Sequence, residues 1–296
     1  MTITRVTQSM MSNRSVLSLQ AGLGRLARTQ EQLSTGRVLN RPSDSPTDTT
    51  SAMRIRASMA DHHQYARNAE DGLGWLAQID STLGSALAQV SRARDIGMQA
   101  MNAVSQSPQT REALAVEVDQ LRASLISAAN TTYLDRPVFG GLVAGTTAYD
   151  ASGAYVGVSG DVSRSVAKDV HVPVNADGPT VFGPDGASLF DDLAELSTAL
   201  RAGDYSQVQA KLGTLHTAQG RITSARTDAG TRTNTLERAV QAAKDMTLSL
   251  TTSLTELENV DLPRATIDLK MQEVAYQAAL AATARLVQPS LVDFLR

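Results

Sequence analysis

The 296-residue chain has no cysteine. Disulfide staples, zinc–thiolate sites and cysteine nucleophiles are therefore excluded. Aromatic residues are scarce, 4% against 42% hydrophobic residues overall, so the core has to lean on Ala, Leu and Val. Each aromatic would bury far more area than an alanine, and small side chains suit closely packed helices better than a thick globular centre. No apolar run approaches the roughly 18 residues of a membrane span. The opening MTITRVTQSMMSNRSV also lacks the uninterrupted apolar segment of a secretory signal. A strong excess of one charge is missing too: the formal net charge is −3, which argues against bulk nucleic-acid binding.

Locally the charge is less even. Arg5, Arg14, Arg25, Arg28, Arg37 and Arg41 face a single acid, Glu31, within the first 43 residues. No base-stacking aromatic is interleaved with them, so they read as a solvated or interface-lining helix face rather than a nucleic-acid footprint.

What is present is helical periodicity. Val16, Leu19, Leu23, Leu26, Gln30 and Leu33 alternate spacings of three and four and predict a helix over 5–34. Gly36 ends it, and RPSDSP at 41–46 breaks the chain. Ser45 followed by Pro46 is a cap-then-proline start for a long helix to about residue 106. Ser107–Pro108 repeats the signal for a helix to about 130. From 137 to 187 the chain is rich in Gly and Pro, with β-prone runs at Ala154–Val158, Val170–Val174 and Thr180–Phe182. These predict a small β insertion, compact and replaceable by a linker. Helical patterns return at 188–201 and again after Gly203 as a second long helix. Pro263 breaks that helix, and a last helix follows over 264–288, with Ile267, Met271, Val274, Ala278 and Ala281 on one stripe. Pro289 is expected to stop it, leaving an apolar tail with Leu291, Val292, Phe294 and Leu295.

The order is nearly symmetric about the insertion. The expected fold is mainly α: a long antiparallel helical rod or coiled coil formed by the N- and C-terminal segments, with a small β-rich insertion. The expected domains are 1–43 with 263–296 (a terminal helical pair), 44–136 with 188–262 (a helical rod), and 137–187 (the insertion). In the terminal pair, Leu23 and Leu26 are expected to face Val274 and Ala278. Interrupted stripes make a thin core, so the pair should need neighbouring subunits to become well ordered. The expected packing interface comprises Val16, Leu19, Leu23, Leu26, Leu33, Ile267, Met271, Val274, Ala278, Ala281, Leu291, Phe294 and Leu295.

Chemistry-bearing residues do not assemble into a catalytic set. His62, His63, His171 and His216 lack metal-ligand spacing, and the adjacent pair points to different faces of a helix. Asp191, Asp192 and Glu195 could serve acid–base work, but at a helix start they read better as acids set against the macrodipole. FGGLVAG lacks the Lys-Ser/Thr of a phosphate loop and reads as a turn. Trp75 sits at helical spacing and reads as core. No catalytic residue, metal or cofactor is expected.

Several long strings, in order, resemble the flagellin family: RVTQSMMSNRSVLSLQAGLGRLARTQEQLSTGRVLNRPSDSPTDTTSAMRIR, QYARNAEDGLGWLAQIDSTL, NTTYLDRPVFGG, LFDDLAELSTALRAGD, TSARTDAGTRTNTLER and ENVDLPRATIDLKMQEVAYQAALAATARLVQPSLVDFLR. The opening RVTQSMM and the closing ATARLVQPSLVDFLR are similar to the hook–filament junction branch rather than to filament flagellin. DLPRATIDL departs from the family pattern at Pro263. The resemblance implies an exported axial protein of the bacterial flagellum, extracellular, without a cleaved signal peptide and using the flagellar type III pathway. It implies a structural adaptor and not an enzyme, with filament flagellin itself as the alternative. The partners it implies are a homo-oligomeric ring, a neighbouring hook-junction protein, filament flagellin and a cytoplasmic export chaperone on the C-terminal region, with no nucleic acid and no membrane insertion.

Overall fold

A computed structural model describes residues 8–102 and 107–294, with side chains along the last helix described as far as Ala284. Seven helices and two two-stranded sheets appear among the described residues. In chain order they are α1 (Gln8–Thr35), α2 (Pro46–Asn102), α3 (Pro108–Ala129), β1 (Thr132–Tyr133), β2 (Arg136–Pro137), β3 (Ser163–Ala167), β4 (Val170–Pro173), α4 (Gly178–Phe182), α5 (Leu189–Ala202), α6 (Tyr205–Glu258) and α7 (Leu262–Phe294). The mainly α reading holds. The chain divides into two units, one of residues 1–60 with 248–296 and one of residues 61–247.

The helix starts follow the cap chemistry in the sequence. The Ser45 hydroxyl accepts from the Asp48 amide at 3.4 Å, with Pro46 as the first helical residue of α2. Ser107 caps α3 in the same way, accepting from the Thr110 amide at 3.2 Å. Ser188 and Asp191 form a reciprocal capping box at the start of α5. Along α6, hydroxyls of Thr223, Thr227, Thr231 and Thr235 each donate to the carbonyl four residues back, at 2.8–3.0 Å.

In the unit 61–247, α2 and α6 run antiparallel. Asp80 pairs with Arg226 at 2.9 Å, Ser91 accepts from Gln219 at 2.9 Å, and Leu212 packs on Gly97. A Cβ at Gly97 would stand 2.7 Å from Leu212, so that glycine permits the close approach. Helices α3 and α5 form a second antiparallel pair: Ser197 donates to the Ala115 carbonyl, and Arg201 reaches Glu112 and Asp119. Asp119 is held below the usual carboxylate range. Burial pushes it up, but hydrogen bonds from Ser197 and Arg201 and the charges of Arg201 and Arg122 outweigh that.

The insertion is not a separate β unit. Its Val138, Phe139, Tyr149, Val174 and Phe182 belong to one continuous core with Trp75, Leu76, Ile79, Leu189 and Phe190 of the helices. Tyr149 meets Phe190 at 5.0 Å between ring centres, and Phe139 meets Phe182 at 5.2 Å. Asn130, which ends α3, donates to the Tyr149 carbonyl and accepts from the amides of Ala148 and Tyr149. Arg122 clamps the Phe190 and Ser152 carbonyls. The expectation of a replaceable, self-contained insertion is therefore corrected. Two of its predicted strands also change. Thr180–Phe182 lies in α4, opened by Asp177 and Pro179 in a helix-start arrangement. Ala154–Val158 makes only isolated bridges, Tyr149 to Tyr155 and Gly141 to Val158. The regular hairpin is β3–β4, with a register shift between Ser165 and Ala167.

The short β1–β2 hairpin closes through Leu134 and Asp135, both at positive φ, 47° and 60°. A bulky residue in that conformation costs about 1–2 kcal/mol, where Asn-Gly would fit with little strain.

In the unit of residues 1–60 and 248–296, α1 and α7 pack antiparallel. Gly22 lies against Tyr276, and Thr29 donates to Gln272 Oε1 at 3.3 Å. The backbone pairs across the end of α1, where the Val38 amide donates to the Glu258 carbonyl and the Val260 amide to the Gly36 carbonyl. Gly36, at φ 71°, makes the turn out of α1. The Pro263 break is present, between α6 and α7. Pro289 is different: helical backbone continues through it to Phe294. Proline keeps a helix-compatible φ although it removes one hydrogen bond and crowds the preceding turn, and the expected stop at 289 is corrected.

Candidate subunit interface

Helix α7 carries two stripes. Ala265, Leu269, Gln272, Tyr276, Ala279 and Thr283 are buried or half-buried, at alternating spacings of four and three, and this is the row laid against α1. Ile267, Met271, Val274, Ala278 and Ala281 have the same spacing and are exposed; Ile267, Met271 and Val274 are 66%, 62% and 65% exposed. Two residues of offset is about 200° around a helix, so the second stripe looks away from α1. The expected pairing of Leu23 and Leu26 with Val274 and Ala278 is corrected. Hydrophobic spacing identified a real stripe, but the seam uses the more polar one.

The same sorting occurs on α1. Ser15, Leu19, Gly22, Leu26, Thr29 and Leu33 are buried or half-buried, again spaced four and three. Val16 and Leu23 are 47% and 46% exposed, with Leu17 at 64% beside them. The seam itself is thin. Thr29 is its buried centre, its single hydroxyl proton shared between the Arg25 carbonyl and Gln272 Oε1. Leu291 and Phe294 lie on α7, and Leu295 falls outside the described residues. The side chains of all three are likewise outside them.

At the other end of this unit a single carboxylate gathers three segments. Glu258, at the end of α6, has a side chain 7% exposed and pairs with Arg56 of α2 at 2.5 Å and with Arg37 after α1 at 3.7 Å. Two of the six N-terminal arginines are therefore accounted for: Arg37 meets this acid, and Arg41 makes a two-point contact with Glu31 at 3.1 and 3.2 Å.

Residues weighed for chemistry have structural partners. Asp191 serves the capping box, while Asp192 and Glu195 both pair with Lys211. The Lys211 pKa is raised, chiefly by the hydrogen bond it donates to Glu195, against burial and with help from Asp192. Sequence reasoning did not anticipate Lys211, which stands on the next helix. Trp75 is buried, 5.4 Å from Tyr133 between ring centres, with Arg164 over its face. Among the described residues no group of three His, Cys, Asp or Glu side chains is placed to hold a metal, and no helix is long and apolar enough to cross a membrane.

Residues 6–137 match the bacterial flagellin N-terminal helical region, and residues 206–295 match the bacterial flagellin C-terminal helical region. The chain belongs to the flagellin family. Both matches include one helix of the α1–α7 pair, so the seam and the outward stripes lie within family-defining segments.

Curated relatives match over most of the chain. Flagellar hook-associated protein 3 of Escherichia coli K12 is 25% identical, over 85% of this chain and 87% of that protein. The flagellar filament 33 kDa core protein of Treponema phagedenis is 24% identical, over 96% of this chain and 98% of that protein. Among solved structures, FlgL of Bacillus cereus matches with a TM-score of 0.60 and 24% identity, over 68% of this chain and 99% of that one. The flagellar hook associated protein-3 of Legionella pneumophila matches with a TM-score of 0.62 and 18% identity, over 69% and 98%. These likenesses show a shared fold. Members of the flagellin family are structural proteins of the flagellum and not enzymes.

Proposed function

We propose that this flagellin-family protein is a structural adaptor at the junction between flagellar hook and filament. In this reading it is exported, extracellular and self-assembling, and forms a homo-oligomeric ring. It meets another junction protein on the hook side and filament flagellin on the other, and a cytoplasmic chaperone covers its C-terminal region before export. In this reading the terminal segments 1–43 and 263–296 form the packing domain, 44–136 with 188–262 the helical domain, and 137–187 a segment that shares the core of the helical domain. The observation that carries the assembly part is the outward stripe of α7. Ile267, Met271 and Val274 stand in water on the face opposite α1, and covering each is worth about 1.5–3 kcal/mol. A heptad-spaced apolar row left uncovered among the described residues is what a neighbouring helix needs. Val16, Leu17 and Leu23 extend the same argument to α1. The apolar tail residues Leu291, Phe294 and Leu295 are placed with this interface.

The junction role is supported by the hook-associated names of several relatives and by the end sequences RVTQSMM and ATARLVQPSLVDFLR. A second reading, filament flagellin, is favoured by the filament core protein of Treponema phagedenis, which is similar at comparable identity. Deleting the gene separates them. An adaptor leaves hooks without filaments and flagellin shed into the medium; a filament protein leaves no shed flagellin. Truncation after Gln288 tests the tail: purified truncated protein is expected to fold and to fail to incorporate at hook tips. Normal incorporation would remove the tail from the interface.

A further inference from the structure

The α1–α7 pair has an outward face on each side. On α1, Leu17, Ala21, Gly24 and Arg28 follow at spacings of four, three and four, and all are exposed. Each stands two residues from a seam residue, Leu19, Gly22 or Leu26, which is about 200° around the helix. This row therefore looks away from α7, just as the row from Ile267 to Ala281 looks away from α1.

Size is distributed along the two rows in a complementary way. On α1 the bulk lies toward the helix start, with Met10 (57% exposed) and Leu17, and small Ala21 and Gly24 follow. A Cβ on Gly24 would meet no atom within 4 Å. Glycine inside an exposed helix weakens it, and no described neighbour uses the space left open. On α7 the bulk also lies toward the helix start, with Ile267, Met271 and Val274, and small Ala278 and Ala281 follow. The two helices are antiparallel, so the bulky part of each row stands level with the small part of the other. The seam fixes the levels: Gly22 stands against Tyr276, and Thr29 against Gln272.

We propose that the outward row of α7 packs on the outward row of α1 in a second copy. Rotation about an axis running along the pair preserves the levels. Val274 then enters the space over Gly24, Met271 lies along the Arg28 stem, Ala278 meets Ala21, and Leu17 covers Ala281. The charges agree with this register. Among the described residues, neither the Arg28 guanidinium nor the Asp268 carboxylate makes a hydrogen bond or ion pair. Antiparallel helices place like-turned flanks side by side, which brings Arg28 toward Asp268 on one flank and Lys270 toward Glu31 on the other. Lys270 and Glu31 hold solvated pairs within their own chain, to Glu273 and Arg41, and such pairs exchange at little cost. Each copy offers both faces at once, on opposite sides of one helix pair. A contact between two different faces is heterologous, and it propagates into a ring or a helix rather than closing as a dimer.

The inference rests on the self-assembly reading, and its test separates the two. The chain has no cysteine, so introduced thiols report one contact. In full-length Gly24→Cys with Val274→Cys, the two thiols lie on opposite sides of the helix pair, too far apart to join within one chain. On hook-bearing cells under mild oxidation this variant is expected to give a ladder of dimers, trimers and longer species on a denaturing gel. Each single variant lacks one partner and is expected to remain monomeric. Full-length Gly24→Leu fills the open space. Its decoration of hooks, seen by electron microscopy, should fall by about tenfold or more. Its thermal midpoint should stay unchanged or rise, because leucine is the better helix former. Normal decoration by Gly24→Leu, or decorated hooks bearing the double variant without a ladder, overturns this pairing of faces alone. Wild-type chain that leaves hooks undecorated overturns the assembly reading and this contact with it.

Discussion

The two units bury different things. Among described residues, the unit of α1 and α7 buries Ala52, Ala265, Thr29 and Glu258, and no large apolar side chain. The insert-bearing unit buries Trp75, Phe139, Tyr149, Phe182 and Phe190 with a long series of Leu, Ile and Val. One closes its own core. The other places its larger apolar groups, Ile267, Met271, Val274 and Leu17, on the outside. On the proposed reading, folding energy and assembly energy are held by separate parts of one chain. An aromatic-poor composition conceals this, because its few rings are concentrated where the insertion meets the helices.

The comparison can be broken most forcefully at the insertion. Replacing 142–187 with Gly-Ser residues removes Tyr149, Val174 and Phe182 from the shared core, and the cooperative unfolding of the insert-bearing unit is expected to disappear in calorimetry. A retained sharp transition would show that the helices close their core unaided. Phe182→Ala is the single-residue version and should cost about 3–5 kcal/mol in denaturant unfolding. At the cap of α5, Ser188→Ala should cost about 1 kcal/mol by the same measurement.

The outward stripe gives the opposite signature. Met271→Ser with Val274→Ser should change monomer stability by no more than about 0.5 kcal/mol, yet prevent decoration of hook-bearing cells. A large loss of monomer stability would mean that these side chains have cover within their own chain. The smallest effect concerns acid. Asp119 has a lowered pKa in the folded protein, so its stabilising contribution is present above the ordinary carboxylate pKa of about 3.9 and is lost as pH falls below it. Both partners are largely solvated, which makes the contribution modest. Arg201→Met should flatten the acid limb of the stability profile below about pH 4, measured by urea titration at each pH.

Much of the helical order was legible because it is written in local chemistry. Ser45–Pro46, Ser107–Pro108 and Ser188 each start a helix by satisfying its free amides, and that requires nothing from distant residues. The stripes on α1 and α7 were legible as stripes. Which of two faces on α7 meets α1 was not, since period specifies a row and leaves its partner open. The seam went to Gly22, Thr29, Ala265 and Gln272 because small and hydrogen-bonding groups let two helices approach. The insertion was the least legible part. Thr180–Phe182 is β-prone by composition, but its helix is fixed by tertiary packing of Val181 and Phe182 into the core. Pro289 shows a local rule overridden, with helix continuing on both sides.

The threonine row on α6 changes what that surface offers to a neighbour. Thr223, Thr227, Thr231 and Thr235 have each spent their hydroxyl proton on a carbonyl of their own helix. A hydroxyl fixed in this way directs its methyl group outward and has no donor left for water or for a partner. A residue type counted as polar thereby forms a line of methyl groups with weak hydration. Covering that line would break fewer donor bonds to water than a count of threonines suggests.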